Sequence, residues 1–358
     1  MKIVQVLNTF TMGDAISNNA LVIRDLLTLQ GYDSELYTEY EYMGTNKFIK
    51  HVSSLPELDE NDVLIYHLSI NVLMLNRLKG MKCRKVGIYH NVTPHEFFLE
   101  YSMLYISVCK RAIYDIKSLA NTFDYCIADS SFNRDDLIKY GYTCSIDVVP
   151  IALNMEDFKK EPNKSVINKY DDGRTNIVFV GRVAPNKKQQ DVISAFACYK
   201  KNYNKEARLF LVGDSGNNEK YKKQLDSFVA HNGTEDVIFT EKIPFDELLA
   251  YYSIADIFLC MSAHEGFCVP LIEAMMFDVP IVAYSSCAVP ETLGGAGILI
   301  EEKDSLITAG IIDKIVADKQ LRDMIIENQR NRLEELSFDN LKKMLNETLI
   351  NFIGEKCE

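Results

Sequence analysis

The chain has 358 residues, 47 % of them hydrophobic and 25 % charged, an ordinary composition for a globular protein with a buried core. At roughly 100–200 residues per domain, the length suggests two domains. Its formal charge of −12 excludes a general nucleic-acid binder, which needs a basic surface, so any anionic ligand must be held by a local cationic pocket.

The N-terminus MKIVQVLNTF enters a strand pattern at once, without the apolar leader of a signal peptide. Strands are expected at Lys2–Asn8, Asp62–Leu68, Arg84–His90, Phe123–Asp129 and Ser145–Val149. Helical periodicity lies between them, near Ser17–Gln30, Ile70–Lys79, Glu100–Ala120 and Asn133–Tyr140. Gly31 and Gly141 stand where C-terminal helix caps are expected. Apolar strands separated by helices imply a parallel sheet covered on both faces.

A polar stretch from Pro150 to about Asn176 interrupts the pattern, with a hinge expected near Pro150–Phe158. The alternation then restarts. Strands are expected at Asn176–Gly181, Arg208–Gly213, Val237–Thr240, Ile257–Met261, Pro280–Ala283 and Gly297–Ile300, and helices near Lys187–Asn202, Asn218–Asn232, Phe245–Ile254 and Val269–Phe277. From Asp304 onward the pattern is helical, ending in Asp339–Ile353. The expected fold class is α/β, with two doubly wound parallel sheets in tandem. The expected boundaries are 1–152, 153–335 and a C-terminal helix, 336–358, crossing back to the first domain. Ligands of such sheets sit beyond the C-terminal strand ends.

Nine cysteines, none in a C-x-x-C pair, read as reduced thiols of a cytoplasmic protein, not as a disulfide frame or a zinc site. No apolar run approaches the ~18 residues of a membrane helix. The protein is therefore expected to be soluble, or peripheral at the inner face of a membrane.

Two segments carry chemistry. In FLCMSAHEGFCVPLIEAMMFDVPIVAY, residues 258–284, a strand runs into the loop Ser262–Phe267 and then into a helix with Pro270 in its first turn. Gly266 permits close backbone approach to a ligand. The amides around Phe267–Leu271 and the helix dipole make an anion site. Glu265 in the loop and Glu273 inside the helix could each bind hydroxyls of a polyhydroxy ligand. The plainer reading of Glu273, a solvated helix face, conflicts with its apolar neighbours Leu271, Ile272, Ala274 and Met275. In IVFVGRVAPNKKQQD, residues 177–191, Gly181 ends a strand, and Arg182 and Lys187 are the cations that a diphosphate needs. Taken alone, they also fit two solvated surface charges.

Together these motifs resemble family 4 of the retaining glycosyltransferases, a GT-B family. Gly181-Arg182-x4-Lys187 is similar to that family's diphosphate motif, and Glu265-x7-Glu273 to its Glu-x7-Glu motif. LVGDSG at 211–216, AVPETLGGAGIL at 288–299 and DVVPIALNMEDF at 147–158 resemble its later turns and its interdomain linker. The resemblance implies a GT-B architecture, two Rossmann-like domains facing a deep cleft. It implies that Arg182 and Lys187 neutralise the donor diphosphate, Glu265 holds donor-sugar hydroxyls and Glu273 binds the ribose. Gly266, Phe267, Cys268 and Val269 would contact sugar and phosphates, with Gly213 in the next glycine turn. The base would stack near Lys242–Ile243, and His90 would lie against the donor sugar, with His67 and His95 as weaker candidates for the same role. Gly13, in Met12-Gly13-Asp14-Ala15, would lie over the phosphates.

The implied activity is transfer of a hexose from a nucleotide-diphosphate sugar, with a lean to GDP-mannose, to a saccharide or lipid-linked acceptor in bacterial surface-polysaccharide synthesis. No cofactor, metal or nucleic-acid partner is expected. The basic stretches RLKGMKCRK (77–85) and LYISVCKRAIYDIKSLA (104–120) read either as a peripheral membrane surface on the N-terminal domain or as a solvated face and a core helix. An epimerase or hydrolase on the same fold, and a non-enzymatic sugar-nucleotide binder, are the competing readings.

Overall fold

The computed structural model describes residues 1–11, 13–42, 44, 48–153 and 155–354. Two compact units emerge. The first comprises Met1–His95, Leu104–Asn154 and Leu336–Glu358, the second Glu96–Met103 and Met155–Glu335. Residues 96–103 therefore group with the second unit and not, as expected from their place in the sequence, with the first. Within that unit Tyr101 meets Tyr221 edge to face at 5.1 Å.

The first unit holds seven strands: β1 Ile3–Leu7, β2 Ser34–Thr38, β3 Ile49–His51, β4 Val63–Leu68, β5 Arg84–Tyr89, β6 Tyr125–Ala128 and β7 Ser145–Val148. They form one sheet of order β3-β2-β1-β4-β5-β6-β7, with every ladder parallel. β1 and β4 are buried along their whole length, as befits central strands covered on both faces. The helix Ala15–Leu29 is capped by Asp14, whose carboxylate accepts from the Ser17 amide. Gly31 and Gly141 both adopt positive φ just past a helix, at +85° and +93°. There Tyr32 and Tyr142 donate back to the Leu27 and Leu137 carbonyls, closing Schellman-type ends.

Two strands, β2 and β3, have no counterpart in the sequence reading, because SELYT and IKH carry too much polarity to read as buried strands. The helix expected over 70–79 shrinks to Leu75–Gly80. The cause is Glu39, a carboxylate only 4 % exposed. It accepts from the amides of Leu73 and Met74, from the Tyr66 hydroxyl and from the Asn8 side chain. These bonds tie residues 71–74 into a loop.

The second unit holds β8 Asn176–Val180, β9 Arg208–Val212, β10 Val237–Glu241, β11 Ile257–Cys260, β12 Ile281–Tyr284 and β13 Ile298–Ile300. Their order is β10-β9-β8-β11-β12-β13, again all parallel. In each sheet the winding reverses once, between β1 and β4 in the first and between β8 and β11 in the second. Loops leaving strands at that reversal diverge and open a crevice.

The C-terminal segment forms the helices Phe338–Leu345 and Asn351–Gly354, joined by a wider turn. Leu341, Leu345, Leu349 and Ile353 are all buried among Ile3, Ile65, Val86 and Ile127 of the first sheet. They recur every four residues, so a single apolar stripe covers the sheet. Leu345→Ala should destabilise the first unit by about 2–4 kcal/mol through the cavity that it leaves. Urea denaturation of the full chain measures this, and a shift under 1 kcal/mol would contradict the packing.

Candidate functional site

The second unit brings the two chemical motifs together at its sheet reversal. After β8 the chain passes Gly181 and Arg182 into a short turn, Pro185–Lys187. After β11 it passes through Ser262–Phe267 into the helix Val269–Met276. Lys187 Nζ donates to both carboxylate oxygens of Glu265, at 2.7 and 2.8 Å. The Glu265 side chain is 8 % exposed and that of Lys187 17 %. Burial alone would pull the Lys187 pKa down, but the Glu265 carboxylate outweighs it and the ammonium ends above its ordinary value. Backbone and side-chain bonds hold the two loops together, because Ala263 N–H donates to the Asn186 carbonyl and Asn186 Nδ2 to the His264 carbonyl.

Arg182 is exposed and, among the described residues, its guanidinium has no ion-pair partner. A cation in that state on an acidic protein is available to an external anion. The glycines beside it are required by space. Gly213, at φ +144°, ends β9, and a Cβ there would lie 2.2 Å from the Gly181 carbonyl oxygen. Gly181 and Gly213 thus allow two strand ends to approach more closely than any side chain permits.

Cys268 caps the Val269–Met276 helix in a left-handed conformation, φ +73°. The first amides of a helix lack intrahelical partners, which leaves those of Cys268 and Val269 at the end of the loop. The Thr292 hydroxyl donates to the Phe267 carbonyl and the Ala288 amide to the Glu265 carbonyl, so the turn at 288–293 braces the loop from behind. Gly266 sits within the braced loop. His264 is buried, and burial lowers its pKa to about 4, against the opposing pull of Glu265. It is a neutral ring at neutral pH.

Glu273 lies on the same helix, with the buried Tyr252 hydroxyl donating to its Oε2 at 2.6 Å. Desolvation raises its pKa from 4.5 to about 7, and the bond from Tyr252 offsets only part of that. Tyr252 was missed by sequence reasoning, since within YYSIAD nothing distinguishes it from a core tyrosine. Ile243 packs, half-buried, against Val178, Phe210 and Tyr251, while Lys242 is exposed.

In the first unit the strand ends carry a separate constellation. His67, on β4, and His90, just past β5, bond through Nδ1 and Nε2 at 2.9 Å with their rings nearly parallel. His90 Nδ1 meets Asp129 Oδ2 at 2.8 Å, and His67 Nε2 meets Gln5 Oε1 at 3.1 Å. The Gln5 amide nitrogen faces the Ala20 carbonyl and Ser34 Oγ, which fixes its oxygen toward His67. Burial raises the Asp129 carboxyl, opposed by His90, and holds His67 well below the ordinary histidine range.

The His90 side chain is 1 % exposed with both ring nitrogens engaged. His67 is equally buried. His95 opens the short 3₁₀ turn His95–Phe98. Gly13 is exposed, at φ +83°, before the first helix; its neighbour Met12 lies outside the described residues.

Residues 160–332 match the family model described as glycosyl transferases group 1. A relative, alpha-monoglucosyldiacylglycerol synthase of Streptococcus pneumoniae, is 23 % identical over 297 residues, 80 % of this chain and 65 % of the relative. O-antigen chain mannosyltransferase B of Escherichia coli is 24 % identical over 241 residues, 64 % of this chain and 62 % of that protein. The match thus spans somewhat less than two thirds of these relatives. Anabaena Alr3699/HepE, solved in complex with UDP-glucose, superposes with a TM-score of 0.76 at 17 % identity, covering 98 % of this chain and 100 % of that one. The fold is therefore GT-B. The segment that matches the glycosyl transferases group 1 model lies within the second unit and carries the paired Lys187 and Glu265 at its sheet reversal.

The carboxyl of Glu273 gives the site a signature in solution. Its pKa is raised, so between about pH 4.5 and 7 the folded chain holds a proton that the unfolded chain has released. Stability from this group is complete below pH 4.5 and is lost as pH rises toward 7. Glu273→Gln should match the wild type near pH 4 and exceed it by about 1–3 kcal/mol above pH 7. Thermal unfolding across that range tests this, and an unchanged difference between the two proteins would contradict it.

Proposed function

We propose that this protein is a retaining hexosyltransferase using a nucleotide-diphosphate sugar without a metal. The observation that carries the reading is the buried Lys187–Glu265 pair, flanked by the exposed Arg182, two glycine strand ends and a helix start. Two cations and the amides of Cys268 and Val269 suit a diphosphate, which would otherwise call for a divalent ion. Glu265 has lone pairs to spare for sugar hydroxyls, and Glu273 for ribose hydroxyls.

Catalysis in this reading is electrostatic. As the bond from the anomeric carbon to the diphosphate lengthens, negative charge grows on the leaving oxygens, and fixed donors aimed at it lower the barrier. The leaving phosphate oxygen takes the acceptor's proton, so no separate base is needed. The names of relatives support both glucosyl and mannosyl donors; we favour GDP-mannose, and the Mycobacterium tuberculosis relative described as a GDP-mannose-dependent mannosyltransferase, 25 % identical over 205 residues, supports that choice. Arg182→Ala and Lys187→Ala should each lose at least ~100-fold in kcat, and a chelator should not lower activity. A folded variant that turns over normally, or a metal requirement, would count against the reading.

The acceptor is a saccharide or a lipid-linked saccharide. Among the described residues, no helix is long and apolar enough to cross a membrane. The helix Met103–Ser118 nonetheless exposes Met103, Leu104 and Tyr114 beside Lys110 and Arg111, which supports peripheral contact with anionic lipid. Flotation with anionic vesicles should carry the protein upward, and Leu104→Glu should abolish this. Failure to float restricts the acceptor to a water-soluble saccharide.

A further inference from the structure

The thiols of Cys260 and Cys268, which flank the Ser262–Phe267 loop, are not used in donor binding. Cys260 ends β11 and Cys268 caps the following helix, and the loop between them folds back on itself. The two sulfurs and a Glu265 oxygen all lie within 4.8 Å of one another, and all three residues are buried. In a tetrahedral zinc site, bonds of about 2.3 Å to sulfur and 2.0–2.2 Å to oxygen space the ligands roughly 3.5–3.8 Å apart. The observed cluster needs only small side-chain movements to reach that spacing.

We propose that Cys260, Cys268 and Glu265 form a binding site for a soft divalent cation, zinc in particular, whose occupancy takes Glu265 from the donor sugar. Two sulfur ligands select zinc over magnesium or calcium, which prefer oxygen. Charge balance favours the exchange. Zinc with two thiolates and one carboxylate carries a net charge of −1, equal to that of the Glu265 carboxylate alone. Lys187 keeps a neutralising partner, and the two thiol protons leave to solvent. Three protein ligands leave a fourth position for water, the arrangement of an open zinc site. The spacing Cys-x7-Cys hides this set from sequence inspection, because a positive-φ turn at Cys268 is what brings the sulfurs together.

Metal binding does not depend on the donor reading; only the competition with donor does, and the two are measured separately. Cobalt(II) titrated into the full chain should give a thiolate-to-metal charge-transfer band saturating at one equivalent, displaced by zinc. Cys260→Ser should weaken zinc at least ~100-fold, since even outer-shell changes cost 10–100-fold. Cys126→Ser, in the separate Cys126–Cys144 thiol contact, should leave the band unchanged. If Cys260→Ser does not fold, alkylation mapped by mass spectrometry on the wild type serves instead, with zinc protecting Cys260 and Cys268. Absence of the band, its persistence in folded Cys260→Ser, or alkylation indifferent to zinc would overturn the site. Calorimetry with GDP-mannose and UDP-glucose, with and without zinc, tests the competition. Weaker donor binding in zinc supports it and unchanged donor binding overturns it.

Discussion

A lysine and a glutamate, both largely removed from water, share two hydrogen bonds at the place where a parallel sheet reverses its winding. Desolvating either charge alone would cost several kcal/mol, so each partner requires the other. The surrounding architecture meets that requirement. Two strand ends approach through glycines, a braced loop turns Glu265 inward, and a short turn presents Lys187. In the proposed reaction the diphosphate would meet a lysine already in position, leaving little reorganisation at the moment of transfer.

The two units treat buried charge in related ways. In the first, Glu39 collects four donors and thereby shapes a loop, while Asp129 closes a row of side chains that ends at Gln5. In the second, Glu273 is held by a single tyrosine and titrates close to neutrality. The number of donors separates these cases. A carboxylate with four donors has few lone pairs left over, whereas one with a single donor retains the capacity to accept further bonds.

Much of the architecture was legible from periodicity. β1, β4, β8 and β11 are largely apolar runs because both of their faces are covered, and the glycines after two helices marked their ends. The edge strands β2 and β3 were not legible, since half-polar segments of five and three residues carry little pattern. The Glu39 contacts that shorten the next helix link residues 34 and 35 positions apart, and no local window contains them. The site divides in the same way. Arg182, Lys187 and Glu265 stood out by their place in loops after strands, and Glu273 as a carboxylate among apolar neighbours. The engagement of His90 with His67 and Asp129, and the role of Tyr252, did not.

The amino-acid order by itself determined two α/β domains, their parallel sheets, and which charged residues lie at strand ends. These follow from local rules, because side-chain period and glycine conformational freedom act over a few residues. Only the tertiary structure decided which of those charges meet. It paired Lys187 with Glu265, gathered two cysteines around the same carboxylate, enclosed His90 and assigned residues 96–103 to the second unit. Each of these depends on contacts between segments far apart in the chain, and their energies exist only once the sheets have formed.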